Sequence, residues 1–330
     1  MQAADTLAAA RAGTRANDTP RAGRSAPDAV DLAELAAARD AIRAVRPDLG
    51  AAEAVVHPAG WDCLAVEMGG ALFKFPRTEA AATRLRGEPA RLDLARAGLA
   101  RRHVAMPCVP QMRLHTAPRL FSEHAMLRGA MVDPAAYHAM GPAARERLAD
   151  DVAAVYVALH EVDTAQAQAA GVGRLPPWPP AAQLFDAAAR VLDPPLLARV
   201  AATMGRVAVS HPDALVFGHF DTHGWNMAYD AEAGRLTGLF DFGDAGLGAR
   251  HTDLSYPSFV SPELTARVVR RYEARGGRPV DLPHVLDLHT VLRVIEIVDA
   301  GDRPAPFVWA LTDWLAALDR LRARGGPWEG

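Results

Sequence analysis

Residues 219–226 read His-Phe-Asp-Thr-His-Gly-Trp-Asn, and residues 239–244 read Leu-Phe-Asp-Phe-Gly-Asp. Four residues separate Asp221 from Asn226, and Asp241 opens an Asp-Phe-Gly string one short segment later. Across residues 215–240 the apolar pattern predicts two short strands with a turn at residues 230–234. A strand and turn of this length would bring the chain at Asp241 back to the neighbourhood of Asn226. We therefore expect both strings to present their polar side chains to one site.

The residue types in these two strings suit phosphoryl transfer, and their order and spacing are typical of kinases. A transferred phosphoryl group needs positioning and charge stabilisation more than covalent help. Asp221 can orient an acceptor hydroxyl and accept its proton. Asn226 and Asp241 offer the hard oxygen ligands that Mg²⁺ prefers. The sequence thus predicts Asp221 as catalytic base and Asn226 and Asp241 as magnesium ligands.

A β-hairpin is predicted upstream, because two short apolar runs at residues 63–68 and 71–75 flank Gly69-Gly70. Strand alternation places Leu72 and Lys74 on one face and the two phenylalanines of the second run on the other. Lys74 is the only lysine in a chain with 36 Lys and Arg residues. An ammonium group is compact and differs from a guanidinium in shape and hydration, so Lys74 is expected to serve a site that arginine cannot.

Helices are predicted on both sides of this hairpin. Apolar spacing indicates a helix over residues 31–45. Residues 78–99 are also helical in pattern, but Gly87-Glu88-Pro89 interrupts them, which predicts one helix ending near Gly87 and another starting with Pro89 in its first turn. Glu88 is then the expected partner of Lys74, since a strand lysine held by a helix glutamate is the usual kinase arrangement. The alternatives are an edge-strand surface lysine and a helix-capping glutamate.

These strings resemble the aminoglycoside phosphotransferase family, whose catalytic loop typically reads His-Gly-Asp-Leu-His-x-x-Asn. His219, Asp221, His223 and Asn226 match that pattern, and Gly-Trp-Asp at 60–62 and Leu-Phe-Lys-Phe-Pro at 72–76 resemble the family's first hairpin. The string Asp-Phe-Gly-Asp-Ala at 241–245 is most similar to enzymes acting at the 2''-hydroxyl of aminoglycosides.

The resemblance implies supporting roles for His219 and His223, and it identifies Asp253 as the aspartate that braces the catalytic loop. Phe220 departs from the family pattern, because it stands where a glycine is usual. We therefore expect a backbone at Phe220 that does not need the positive φ that glycine tolerates.

The resemblance implies an α+β, bilobal protein-kinase-like fold with a small β-sheet N-lobe and a mostly helical C-lobe. We place the N-lobe at residues 28–126 and the C-lobe at 127–330, after a disordered tail at 1–27 that has no apolar period. The residues Glu123, His124, Ala125 and Met126 join the lobes. Backbone groups between Glu123 and Leu127 are expected to bind the base edge of a nucleotide.

The implied reaction is magnesium-dependent transfer of the γ-phosphoryl of ATP or GTP to a hydroxyl of a small molecule. An aminoglycoside antibiotic is the first expectation; a macrolide, a sugar, an amino alcohol and a non-catalytic nucleotide-binding homologue are alternatives. Glu296 and Asp299 lie three apart on a predicted helix and would give a polycationic acceptor its carboxylates, although a solvated helix end explains them equally well. A protein kinase is disfavoured, because Asp253 follows Asp241 too closely to leave room for an activation segment.

Composition limits the partners. The net charge of −3 gives no general attraction to nucleic acid or to an anionic membrane, and no apolar run approaches the length of a membrane span. The two cysteines, Cys63 and Cys108, are expected to be core thiols in a reducing compartment rather than a disulfide or a metal site. A cytoplasmic location is therefore expected, with a small-molecule substrate, no nucleic-acid partner and an oligomeric state that the sequence leaves open.

Overall fold

The computed structural model of the protein describes residues 32–57, 62–208 and 213–324. The predicted tail at 1–27 lies outside the described residues, as do Gly60 and Trp61 of the first hairpin motif. No helix within the described ranges combines the length and apolar character needed to cross a membrane.

The N-terminal part is a five-stranded antiparallel sheet flanked by two helices, with strand order β1-β2-β3-β5-β4. Its elements are α1 (Leu32–Val45), β1 (Ala54–His57), β2 (Cys63–Met68), β3 (Ala71–Pro76), α2 (Glu79–Arg101), β4 (Arg113–His115) and β5 (Phe121–Ala125).

The predicted hairpin is confirmed. Strands β2 and β3 pair with Met68 opposite Ala71, and both turn glycines have positive φ values, 61° and 79°. Phe73 and Phe75 are fully buried against α1 on one side of the sheet, while Lys74 lies on the other side, facing a cleft. The alternation expected from the sequence therefore separates the core face from the functional face.

The prediction of two helices around Pro89 is wrong, because α2 continues through the proline to Arg101. The proline removes one helical hydrogen bond at a cost of about 3 kcal/mol. Nine residues of α2 are buried, so the burial of its apolar face outweighs that cost. The side chain of Arg91 also donates to the Arg84 carbonyl at 3.2 Å, in the turn that precedes the proline.

The remainder of the chain is mostly helical and carries two short two-stranded sheets, β6–β9 and β7–β8. Its elements are α3 (Pro134–Ala139), α4 (Pro142–His160), α5 (Thr164–Ala169), α6 (Ala181–Ala188), α7 (Pro194–Ala208), β6 (Leu215–Gly218), β7 (Met227–Asp230), β8 (Arg235–Leu239), β9 (Gly246–Ala249), α8 (Arg250–Asp253), α9 (Pro262–Ala274), α10 (Leu282–Asp299) and α11 (Ala305–Ala323).

The main core joins both parts of the molecule. Helix α2 packs against α4 through Gly98, where a Cβ atom would lie 2.7 Å from the carbonyl oxygen of Ala158. A second core packs α10 against α6, α7 and α11. Phe217 of β6, Leu239 of β8 and Phe242 just after β8 belong to the first core, so the polar segments that follow these two strands lie next to it.

The predicted connector is partly a strand, because its first three residues, 123–125, belong to β5. Residues 121–125 form β5, which is an inner strand between β3 and β4. The Met126 N–H donates to the Gly70 carbonyl at 2.9 Å, so the chain leaves the sheet only after this bond. Residues 127–129 then lead to the helical part.

Candidate active site

The predicted base and its neighbour on the loop are in direct contact. Strand β6 ends at Gly218, and a turn at Gly224–Asn226 returns the chain into β7. The Asn226 Nδ2 donates to Asp221 Oδ2 at 2.8 Å and to the Asp221 carbonyl at 2.9 Å. Because the amide nitrogen is held inward, Oδ1 is the atom of Asn226 that is left to face the cleft.

Asp241 reaches the same place through the β7–β8 hairpin. Met227 pairs with Leu239 in that hairpin, and the Phe240 N–H donates to the Asn226 carbonyl at 3.1 Å. Asp241 follows directly, with a left-handed backbone at φ 65°. The prediction that the two strings converge on one site is therefore confirmed by the hairpin between them.

Lys74 lies between two carboxylates. Its Nζ is 3.0 Å from Asp241 Oδ1 and 3.7 Å from Glu88 Oε1, and the latter oxygen also accepts from the Phe242 N–H at 3.1 Å. Burial disfavours the charge on Lys74, but the Asp241 and Glu88 carboxylates outweigh it and raise the pKa of the amine. Burial raises the pKa of Glu88, whereas Lys74 overcomes the same effect at Asp241 and lowers its pKa. The strand, the helix and the Asp-Phe-Gly turn are thus joined by one ionic network.

Asp221 is almost fully buried, and its environment makes it a stronger base than a surface aspartate. Burial, followed by the negative charge of Asp241, raises its pKa well above the ordinary value. Its Oδ1 atom accepts no aligned hydrogen bond from the described residues and lies 3.2 Å from His223 Nε2. A buried carboxylate oxygen without an aligned donor is suited to receive a hydroxyl.

Asp253 braces the start of the catalytic loop. Its carboxylate accepts from the backbone N–H groups of His219 at 3.2 Å and Phe220 at 2.6 Å. His160 Nε2 lies 2.9 Å from the same carboxylate, from the end of α4. Gly218 makes room for this arrangement, since a Cβ there would lie 2.2 Å from Asp253 Oδ2.

The expectation for Phe220 is wrong: its φ is 55°, in the left-handed region. This backbone costs roughly 1–2 kcal/mol for a residue with a Cβ. The Asp253 bond to its N–H and the burial of its ring beside Tyr256, Phe259 and Leu292 outweigh that cost. The loop therefore has the left-handed backbone for which glycine is usual, although the residue at this position is a phenylalanine with a buried ring.

His219 is held as a neutral ring beneath the loop. The Asp221 N–H lies 3.2 Å from Nδ1, so Nδ1 is the acceptor, and Nε2 donates to the Phe240 carbonyl at 3.1 Å. Burial lowers the pKa of His219 to about 4. The ring also packs edge-on against Phe242, 4.4 Å between centroids, which links the loop to the Asp-Phe-Gly turn.

A cleft of about 620 Å³ lies between the sheet and the helical part, and Lys74, Glu88, Asn226 and Asp241 line it. Of the connector residues, His124 and Met126 also line this cleft. The Glu123 side chain instead contacts Arg46 and His115 away from the cleft. The Met126 N–H already donates to the Gly70 carbonyl, and the Ala125 carbonyl lies 2.9 Å from His124 Nδ1, whereas Leu127 lines the cleft.

A second pocket of about 820 Å³ lies within the helical part. Trp225 lines both this pocket and the cleft, and His223 packs edge-on against it at 5.4 Å between centroids. The structure brings Glu296 to the wall of this pocket, together with Glu263 and Asp313. It does not bring Asp299 there, because that residue is exposed at the end of α10.

Comparison with known proteins decides the family. A sequence model described as the phosphotransferase enzyme family matches residues 53–289, which is most of the chain. The chain belongs to this phosphotransferase family. The resemblance expected from the catalytic loop and the prediction of a small-molecule phosphotransferase are thereby confirmed. A search of curated proteins gives no match.

Solved phosphotransferase structures show the same fold. A GDP complex of a mutant aminoglycoside 2'-phosphotransferase-IIIa has a TM-score of 0.72 at 19% identity, covering 85% of this chain and 97% of that one. The GDP and kanamycin complex of APH(2'')-IIIa has a TM-score of 0.69 at 18% identity, covering 85% and 98%. A macrolide 2'-phosphotransferase from Brachybacterium faecium has a TM-score of 0.59 at 18% identity, covering 86% and 98%. The predicted α+β, bilobal kinase-like fold is confirmed.

The phosphotransferase site fits a magnesium ion on the chemistry of its donors. Asn226 Oδ1 and the Asp241 carboxylate both face the cleft, and about a third of the Asp241 side chain is exposed there. No group of three His, Cys, Asp or Glu side chains able to hold a metal occurs within the described ranges. Such a sparse donor set suits Mg²⁺, which keeps waters and takes phosphate oxygens as further ligands.

Sequence reasoning missed two cleft residues of this phosphotransferase. Asp244, directly after Asp-Phe-Gly, lines the cleft, and burial followed by the charge of Asp221 raises its pKa to about 7. Arg84 also lines the cleft and forms an ion pair with Asp62. It lies one helical turn before Glu88, so the i, i+4 spacing was a signal that both side chains share the face of α2 turned to the cleft.

Proposed function

We propose that the chain catalyses magnesium-dependent transfer of the γ-phosphoryl group of ATP or GTP to a hydroxyl of a small molecule. The observation that carries the proposal is the position of Asp221 and Asn226. Their loop lies where the nucleotide-sized cleft meets the second pocket, with Trp225 in the walls of both. A phosphoryl group in the cleft and a hydroxyl in the second pocket would therefore meet at this loop.

Each side chain has a separate role in this proposal. Asp221 Oδ1 accepts the hydroxyl proton, and its raised pKa makes it a suitable general base. Lys74 directs a positive charge into the cleft and contacts the nucleotide phosphates. Asn226 and Asp241 hold magnesium, which when bound neutralises charge on the phosphates.

The cleft is assigned to the nucleotide because its walls combine charge and apolar surface. Lys74 and Glu88 line one region, and Leu72, Met126 and Leu127 line another. Apolar side chains suit the faces of a purine base, and the backbone of residues 125–127 suits its edge. Structures similar in fold are described as GDP and ATP complexes, which supports testing both nucleotide types.

A non-catalytic nucleotide-binding role is the second candidate. It is disfavoured because Asp221, Asn226, Asp241 and Lys74 are all present. Asn226 lies 2.8 Å from Asp221, and Lys74 lies 3.0 Å from Asp241. Nucleotide binding alone does not require a buried carboxylate with a raised pKa beside the second pocket, whereas general-base catalysis does.

The test is a transfer assay with labelled ATP and GTP, with and without Mg²⁺, over kanamycin, a macrolide, a sugar and an amino alcohol. Asp221→Asn should reduce transfer by at least about 10²-fold, as loss of a general base usually does, while nucleotide affinity changes little. Asp319→Asn, a surface change in the same residue type on α11, is the matched control. Wild-type transfer by Asp221→Asn, or nucleotide binding without any magnesium dependence, would refute the proposal.

A further inference from the structure

The second pocket is rich in positive charge. Three carboxylates line it, Glu263, Glu296 and Asp313, against six guanidinium groups. The six are Arg145, Arg267, Arg270, Arg293, Arg320 and Arg324. A polycationic acceptor would need an excess of carboxylates to compensate for its ammonium groups when it leaves water. The wall of this pocket instead carries an excess of guanidinium groups over carboxylates.

Two of the three carboxylates are already committed to arginine. Glu263 accepts from Arg145 Nη1 at 3.2 Å and from Arg267 Nη2 at 2.6 Å. Glu296, whose side chain is 2% exposed, accepts from Arg293 Nη1 at 2.9 Å. An ammonium group that approached either carboxylate would compete with a guanidinium already bound there, and displacing that guanidinium is costly at partly buried positions.

The arginines, in contrast, outnumber the acids that hold them. Arg267 and Arg270 share Glu146, which lies behind the wall on α4 and also pairs with Arg271. Arg320 and Arg324 lie one turn apart at the exposed end of α11, and within the described ranges no carboxylate pairs with either. Their guanidinium groups remain available to an anion.

The wall also offers aromatic surface. Trp225, Phe259, Phe307, Trp309 and Trp314 line the pocket, and Trp309 is 66% exposed. The Arg293 guanidinium lies 4.4 Å from the centre of the Phe259 ring, and its buried Nε has no hydrogen-bond partner among the described residues. Rings and guanidinium groups side by side favour a ligand with a flat or apolar body and a negatively charged group.

We propose that the acceptor of this phosphotransferase is an anion, a ring-bearing hydroxyl compound with a carboxylate or a phosphate ester. This inference rests on the proposed function for its hydroxyl-transfer step. It departs from the aminoglycoside expectation drawn from the sequence, because the arginines of α9, α10 and α11 set the charge of the pocket. The acceptor's anionic group contacts Arg320 and Arg324, and its ring packs on the tryptophans.

The test measures equilibrium binding by calorimetry on the full chain without nucleotide, so that it does not depend on catalysis. Three probes share one hydroxyphenyl ring and differ in charge: 4-hydroxyphenylacetate, tyrosol and tyramine. Phenyl phosphate distinguishes a phosphate from a carboxylate requirement, and kanamycin represents a polycation. We expect the anions to bind at least about tenfold more tightly than tyramine, with an affinity that falls as salt is added.

The variants locate the binding. Arg320→Gln with Arg324→Gln should weaken 4-hydroxyphenylacetate binding by about tenfold or more and leave tyrosol binding nearly unchanged. Both positions are exposed, so the fold should tolerate the changes. Arg322→Gln, exposed on the same helix but outside the pocket lining, is the matched control and should have no effect.

The outcomes separate the two proposals. Equal or tighter binding of tyramine or kanamycin, no measurable binding of either anion, or anion binding unchanged in the double variant would overturn the anionic-acceptor proposal. Charge-selective binding without magnesium-dependent transfer to any hydroxyl would instead count against the proposed function. Transfer to kanamycin with no anion binding would sustain the reaction and overturn the acceptor class.

Discussion

Replacement of Lys74 by methionine tests whether the ionic network holds the two halves of the site together. The amine lies 3.0 Å from Asp241 Oδ1 and 3.7 Å from Glu88 Oε1, and its side chain is 11% exposed. At an effective dielectric constant of about 20 these separations correspond to attractions of roughly 5.5 and 4.5 kcal/mol. Desolvation offsets part of this. Removal of one partner from a buried ionic pair typically costs about 3–5 kcal/mol.

We therefore expect Lys74→Met to lower the free energy of unfolding by about 3–5 kcal/mol near pH 8. The loss should be smaller near pH 5. Burial already raises the pKa of Glu88, and loss of the amine would raise it further. A carboxyl whose folded-state pKa exceeds its unfolded value binds a proton more readily when folded, so the variant regains stability as the pH falls.

Lys74→Arg separates charge from shape. A guanidinium preserves the positive charge between Asp241 and Glu88, so stability should stay within about 1–2 kcal/mol of wild type. The planar, larger group cannot place one compact donor at the phosphates, so transfer should fall by about 10²-fold or more. Urea unfolding and the transfer assay give the two readouts, and Arg77→Met at the end of β3, in a surface ion pair with Glu34, is the control. The reasoning fails if Lys74→Met unfolds like wild type at both pH values, or if Lys74→Arg transfers phosphate normally.

Two further predictions concern the backbone of the loop and the pH response. Phe220→Gly should be more stable than Phe220→Ala by about 1 kcal/mol, because alanine keeps the left-handed strain at φ 55° and glycine relieves it. This reverses the usual order, in which alanine is the more stabilising residue. Urea unfolding of the two variants measures the difference, and a more stable alanine variant would contradict the loop conformation. Burial lowers the pKa of His124 to about 4, below its unfolded value of about 6.5. Between pH 6.5 and pH 4 the unfolded chain therefore binds more protons than the folded chain. The free energy of unfolding should fall by up to about 3 kcal/mol as the pH drops through this range. His124→Gln should flatten that loss and His138→Gln, at an exposed position, should not; equal pH profiles for all three proteins would refute the assignment.

Local sequence patterns were sufficient to predict the positions of the catalytic strings and of the first hairpin. Asp221, Asn226 and Asp241 could be placed together because the chain between them is a short hairpin, and Lys74 because strand alternation fixes its face. Strand β5 was not recognised as part of the sheet, since its position between β3 and β4 depends on pairing across residues distant in sequence. Long-range pairing leaves little mark on a segment of five residues.

The errors at Pro89 and Phe220 have a common physical origin. Each residue breaks a local rule at a cost of roughly 1–3 kcal/mol, and tertiary contacts outweigh that cost. At Pro89 the contacts are the buried face of α2, and at Phe220 they are the Asp253 carboxylate and a buried ring. Both positions adjoin residues of the proposed site, Glu88 and Asp221.

The proposed acceptor pocket differs from the catalytic loop in how much the sequence alone can reveal about its chemistry. The loop's chemistry depends on residues that are near each other in the chain, so a motif can carry it. The charge of the pocket depends on side chains from four helices, α4, α9, α10 and α11, and on which guanidinium each carboxylate already holds. The helix spacing alone predicts Glu296 as a partner for a cationic acceptor. In the structure its carboxylate instead accepts a hydrogen bond from Arg293, three residues earlier. A catalytic loop shared with aminoglycoside enzymes therefore constrains the reaction, whereas the acceptor has to be argued from the pocket of this chain alone.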